Sequence, residues 1–171
     1  MAEMRVQTPR VGLNNVVVDI SGMAVSSKPN DVVITYSLGS CLGLVVFDPV
    51  ARVGGMVHCM LPLSRIDTEK AKAKPGMFVD TGVPALLEKA FKLGAQKKRI
   101  VLKAAGCAHL LDDKNLFRIG ERNHTVLRKL LWKNNLLLES EQIGGSISRT
   151  LRLYLATGEV TVATGGKETA L

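Results

Sequence analysis

Three cysteines (Cys41, Cys59 and Cys107) and three histidines (His58, His109 and His124) are the residues of this chain whose types suit nucleophilic or metal chemistry. The cysteines lie 18 and 48 residues apart and form no CxxC pair. A disulfide framework and a zinc ribbon are therefore poorly supported, and at least one thiol stays free. Cys107-Ala108-His109 offers only two alternating donors, too few for a metal site. The remaining possibility is a thiol joined to a base. Cys41 follows the tight turn Leu38-Gly39-Ser40 and feeds the apolar run Leu42 to Phe47, and the chain returns through Gly54-Gly55-Met56-Val57-His58. Asp48-Pro49 initiates a turn between the two runs, so they read as a β-hairpin. A two-residue loop at Pro49-Val50 would place Cys41 opposite His58, and a four-residue loop would leave them diagonal. Both registers keep the two side chains on one face, about 4.5 to 8 Å apart.

An imidazolium beside a thiol stabilises the thiolate, so this spacing predicts an early-titrating Cys41 and a His58 able to return a proton to a leaving group. Backbone amides from Gly39 and Ser40 to Cys41 are candidates for holding a developing oxyanion. Thr35, six residues before the thiol, is a candidate for orienting the imidazole. The competing reading is that Cys41 and His58 are core residues, since free cysteine is among the most buried residue types.

Elements that would position these groups follow from periodicity. Strands are expected at Asn15 to Ile20, Val32 to Tyr36, Leu42 to Asp48, Gly55 to Leu61, Arg99 to Ala105, Leu136 to Ile143, Thr150 to Ala156 and Glu159 to Thr164. Val83, Leu86, Leu87, Ala90 and Phe91 repeat at helical spacing, with Asp80 or Thr81 as the cap, Pro84 in the first turn and Gly94 at the end. A second helix is expected over Gly120 to Asn134. Strands outnumber helices and are not regularly interleaved with them. This predicts an α/β (α+β) sandwich of mainly antiparallel sheets with about two long helices packed outside. Gly39 to Gly43 does not complete a dinucleotide fingerprint, and there is no phosphate-cradling GxxxxGK[ST].

The 171 residues fit one domain, with 46% hydrophobic and 22% charged residues, a globular composition. The ends, Met1 to Val11 and Gly165 to Leu171, read as flexible. No apolar run approaches the roughly 18 residues of a membrane span, and no secretory signal is readable, so a cytoplasmic location without membrane insertion is expected. The net charge of +8 favours an acidic partner. Its densest run, Lys97-Lys98-Arg99, reads as a solvated face. None of the few aromatics interleaves with that run, which argues against nucleic acid as the partner.

The run Thr35 to Pro49 and the run Gly54 to Pro62 together resemble the signature of the chemoreceptor glutamine deamidases, the CheD family. The similarity continues through Asp80-Thr81, Lys97-Lys98-Arg99, Ile119-Gly120-Glu121-Arg122-Asn123, Gly144-Gly145 and Thr157-Gly158, covering about Val16 to Val162. The resemblance implies a catalytic set of Cys41, His58 and Thr35, no metal and no cofactor. It implies a three-layer sandwich like the catalytic domain of deamidating toxins, and hydrolysis of glutamine side-chain amides on the cytoplasmic helices of chemoreceptors. A CheC-type phosphatase is an implied second partner. The alternative is a non-catalytic adaptor binding the same partners. One departure lies near the site: Lys103-Ala104-Ala105-Gly106-Cys107-Ala108 stands where the family usually reads Lys-x-Phe-Gly-Gly-Ala.

Overall fold

A computed structural model of the chain describes residues 11–110 and 117–171. Among the described residues the strands are β1 (Asn14–Val17), β2 (Met23–Ser26), β3 (Asp31–Leu38), β4 (Leu42–Asp48), β5 (Val53–Cys59), β6 (Val101–Gly106), β7 (Ser140–Ile143), β8 (Arg149–Tyr154), β9 (Val160–Thr164) and β10 (Lys167–Ala170). The α-helices are α1 (Thr68–Ala73), α2 (Val79–Lys92) and α3 (Ile119–Lys133). One sheet has the order β1-β3-β8-β9-β10 and the other β2-β5-β4-β6-β7. Only β1 with β3 and β6 with β7 pair in parallel, so the sheets are mainly antiparallel as expected.

Alternation along β4 explains the layers. Leu42, Leu44 and Val46 join Val57, Val83, Leu86 and Leu127 in a core between the second sheet and the helices. Val45 and Phe47 point the other way and meet Val33, Leu151 and Leu153 of the first sheet. The second sheet is thus covered on both faces, which is why β4 and β5 are buried throughout and read as near-continuous apolar text. Each fully buried Leu or Val contributes about 1.5–3 kcal/mol.

Several expectations need correction. Helix α2 begins at Val79, so Pro84 lies in its second turn and neither Asp80 nor Thr81 caps it. The Asp80 carboxylate instead accepts hydrogen bonds from the amide and hydroxyl of Ser64, both at 2.9 Å, pinning the preceding connection. Strands β2 and β10 were not anticipated. Residues 165–171, expected to be a loose end, include β10, which pairs antiparallel with β9. The run Leu136 to Ile143 yields only the four-residue β7. The expectation for the amino-terminal end falls, apart from Val11, outside the described residues.

The basic run is not wholly a solvated face. Arg99 pairs with the fully buried Asp48 at 2.9 Å. Asp48 Oδ1 also accepts from the amides of Val50 (2.9 Å) and Ala51 (3.0 Å), closing the turn that Asp48-Pro49 announces. Burial pushes this carboxyl up, but the hydrogen bonds from Arg99, Ala51, Gln96 and Val50 outweigh it and hold Asp48 well below the usual carboxylate range.

Candidate functional site

The hairpin β4–β5 pairs Leu42 with Cys59 and Gly43 with His58, the register of a four-residue loop. Cys41 is therefore diagonal to His58 rather than opposite it. The pleat puts both on the face turned toward the first sheet, because Cys41 packs against the inter-sheet core while Cys59 packs among the residues under the helices. Gly43, directly across from His58, has no side chain. A Cβ there would stand 2.8 Å from methyls of both Leu38 and Leu151. Those leucines fill the space, and His58 is fully buried.

On the facing sheet, β3 brings Thr35 to His58. Between Thr35 and Leu38 the β3–β8 register shifts by one residue, and Ser37 takes a left-handed φ of 56°. This bulge resets the alternation, so Leu38 faces inward like Val33 while Tyr36 stays exposed. The chain then turns through Gly39 and Ser40 to Cys41, which is partly exposed.

Thr35 Oγ1 lies 2.7 Å from His58 Nδ1 and 2.6 Å from the carbonyl oxygen of Val18. The carbonyl can only accept, so the single hydroxyl proton of Thr35 goes to Val18. Oγ1 must then accept from Nδ1–H. Proton bookkeeping thus assigns the Nδ1–H tautomer and leaves the lone pair on Nε2. That Nε2 is buried and, among the described residues, has no hydrogen-bond partner. Backbone bonds hold the ring's strand in place, Ser21 N–H donating to His58 O at 2.9 Å and His58 N–H to Gly22 O at 3.0 Å.

Electrostatics correct the expected thiolate. Burial lowers the His58 pKa to about 4, only partly opposed by Asp19. Burial also raises Cys41, against the weaker opposite pull of its own backbone amide. The resting pair is accordingly a neutral thiol and a neutral imidazole, because desolvation penalises each charge before either can stabilise the other. No hydrogen bond joins Cys41 to Nε2 in this state.

The other candidates separate clearly. Burial raises the thiols of Cys59 and Cys107, the latter to about 12, and both are core residues. Cys107 is buried while His109 is exposed, and no group of three His, Cys, Asp or Glu among the described residues is placed to hold a metal. His124, on α3, is partly buried and sits 2.9 Å from Glu141 Oε2 of β7. The departure from the family pattern is visible in the backbone: Cys107 has a φ of 55°, a conformation that favours glycine.

Sequence reasoning missed two buried polar residues around the turn. Arg149 donates to the carbonyls of Gly106 (3.3 Å) and Gly144 (2.7 Å). Asn123 donates to the carbonyls of Ser40 (3.0 Å) and Met60 (3.3 Å). A signal for Asn123 existed, since it shares the buried face of α3 with Gly120, Leu127 and Leu131.

Known proteins are similar over most of this length. A family model described as CheD chemotactic sensory transduction matches residues 60–164. The chain is 47% identical over 154 residues to "Probable chemoreceptor glutamine deamidase CheD 1" of Syntrophus aciditrophicus, covering 90% of this chain and 96% of that one. The chain belongs to the CheD family. It is also 42% identical to "Probable chemoreceptor glutamine deamidase CheD" of Solibacter usitatus, over 93% of this chain and 94% of that one. A CheD relative from Pyrococcus horikoshii is 38% identical, with 86% and 91% covered. The family model begins after Cys41 and His58, but an alignment of 154 residues in a chain of 171 necessarily spans both positions.

Proposed function

We propose that this CheD chain is a cysteine-dependent protein-glutamine deamidase acting on the cytoplasmic helices of chemoreceptors. The observation that carries the reading is the proton arrangement at His58. Nδ1–H is committed to Thr35, and a bare, buried Nε2 lies on the same sheet face as the one cysteine open to solvent. A structural histidine would be expected to satisfy both nitrogens.

In this reading Cys41 Sγ attacks the carbonyl carbon of the glutamine carboxamide as its proton passes to Nε2. Because both groups start neutral, transfer accompanies attack rather than preceding it. Amides of the Gly39-Ser40-Cys41 turn hold the oxyanion. Nε2–H then protonates the amide nitrogen, the C–N bond breaks and ammonia leaves. The resulting thioester is cleaved by water, whose proton goes to Nε2 and returns to the sulfur, and the product is glutamate. Cys41 must swing toward Nε2 to begin, a tightening that substrate binding supplies. A cavity of about 130 Å³ lined by Ser40, Ala108, Leu110, Phe117 and Ile119 adjoins the turn and is the receptacle assigned to the glutamine side chain.

A cytoplasmic location belongs to the same reading. No helix among the described residues is long and apolar enough to cross a membrane. A CheC-type phosphatase as second partner and a fold like that of the deamidating toxins belong to the same reading. The test is incubation with receptor cytoplasmic fragments followed by peptide mass mapping. Site-specific glutamine-to-glutamate conversion by the wild type, absent with folded Cys41→Ala, supports the reading. Equal conversion by both proteins, or none by either, rejects it.

A further inference from the structure

We infer that Asn123 is a positioning residue whose side-chain amide fixes the spacing between the turn that carries Cys41 and the strand end that carries His58. This rests on the proposed deamidase reading. Asparagine is a poor helix former, and an amide buried without partners costs about 1–3 kcal/mol, so nothing in α3 itself favours it at this position. Its surroundings supply the reason. Asn123 is fully buried, and its Nδ2 carries two N–H groups. One meets Ser40 O at 3.0 Å, the residue before the thiol, and the other meets Met60 O at 3.3 Å, two residues after the imidazole. Both acceptors lie just outside the named strands. One planar group therefore spans the two segments whose relative placement decides whether Cys41 can reach Nε2.

Two further contacts make that span rigid. Gly120, on the same helix face, lets α3 approach closely, since a Cβ there would fall 2.4 Å from Cys107 O. Cys107 N–H in turn donates to Cys41 O at 2.8 Å. The helix is thus seated on the strand end that pairs with the turn, and Asn123 uses the approach that Gly120 allows. Its Oδ1 is buried and without a partner among the described residues, so Nδ2 alone holds the side chain.

The sharp test is Asn123→Asp, which keeps the shape and removes both donors, with Asn123→Ala carrying the same test should the carboxylate prevent folding. Leu127→Ala, on the same helix face but away from the turn, is the control for lost stability. With a receptor cytoplasmic fragment as substrate, kcat of the Asn123 variants should fall by about tenfold to a hundredfold, since a misplacement of about 1 Å costs this much, with KM within about threefold. Leu127→Ala should keep kcat within about twofold at temperatures where it is folded. Independently of activity, iodoacetamide should alkylate Cys41 faster in the Asn123 variants while the buried Cys59 stays protected, the mark of a released turn in a folded protein. Wild-type kcat and alkylation in a folded Asn123 variant, or an equal loss of kcat in Leu127→Ala, overturns the inference. If the wild type converts no receptor glutamine, the deamidase reading fails, and the alkylation comparison still decides whether Asn123 holds the turn.

Discussion

The hydroxyl of Thr35 and Nδ1 of His58 lie 2.7 Å apart, although 23 residues separate them and they belong to different sheets. The contact is an inter-sheet hydrogen bond beside a core of apolar side chains, and it dictates which imidazole nitrogen keeps its lone pair. Thr35→Val should leave the Val18 carbonyl and Nδ1–H unpaired, lowering stability by about 1–3 kcal/mol. It should also lower the deamidation rate about tenfold or more, because the ring loses its tautomer lock. Thr35→Ser should recover most of both. Denaturation curves and receptor-fragment assays on the two variants check this.

Reactivity of the thiol should follow burial rather than an ion pair. With Cys41 raised above its ordinary 9.0, its alkylation rate should still be climbing as pH passes 9. His58→Ala should change the rate near neutrality little. A plateau below pH 7 that disappears in His58→Ala would instead reveal a resting thiolate–imidazolium pair.

His58 also links stability to pH. Its pKa is near 6.5 when unfolded and about 4 in the fold, so between these values the unfolded chain binds the extra proton. The contribution is fully present above 6.5, is lost as pH falls toward 4 and changes no further below it. Denaturation midpoints measured across this window should decline more steeply for the wild type than for His58→Asn.

Asp48→Asn should destabilise the protein by about 2 kcal/mol or more, because it strips a buried acceptor from Arg99 and from the turn amides. Since Asp48 closes β4 at the end remote from Cys41, kcat of the folded variant should match the wild type. Chemical denaturation together with the receptor-fragment assay reads both effects.

What could be read from sequence was whatever depends on local period and parity. The odd offset between Cys41 and His58 across a hairpin puts them on one face for a loop of two or of four residues, and the four-residue register keeps that relation. Loop length itself was left open, because it depends on Asp48 capping a four-residue turn. β2 and β10 escaped notice for a different reason. Met-Ala-Val-Ser and Lys-Glu-Thr-Ala are four-residue strands at sheet edges, stabilised by pairing with β5 and β9 rather than by any alternation of their own. The charge states of Cys41 and His58 were misread because spacing says nothing of desolvation. Asn123 was passed over because its value lies in two carbonyls 83 and 63 residues away.

In the proposed reaction Cys41 forms a covalent acyl intermediate with the glutamine side chain. Mixing enzyme with a receptor cytoplasmic fragment, quenching in acid within one turnover and measuring intact mass tests this directly. A thioester adduct that maps to Cys41, precedes the glutamate product and is missing in folded Cys41→Ala is the predicted result. Glutamate formed at the wild-type rate without sulfur forty-one would contradict it.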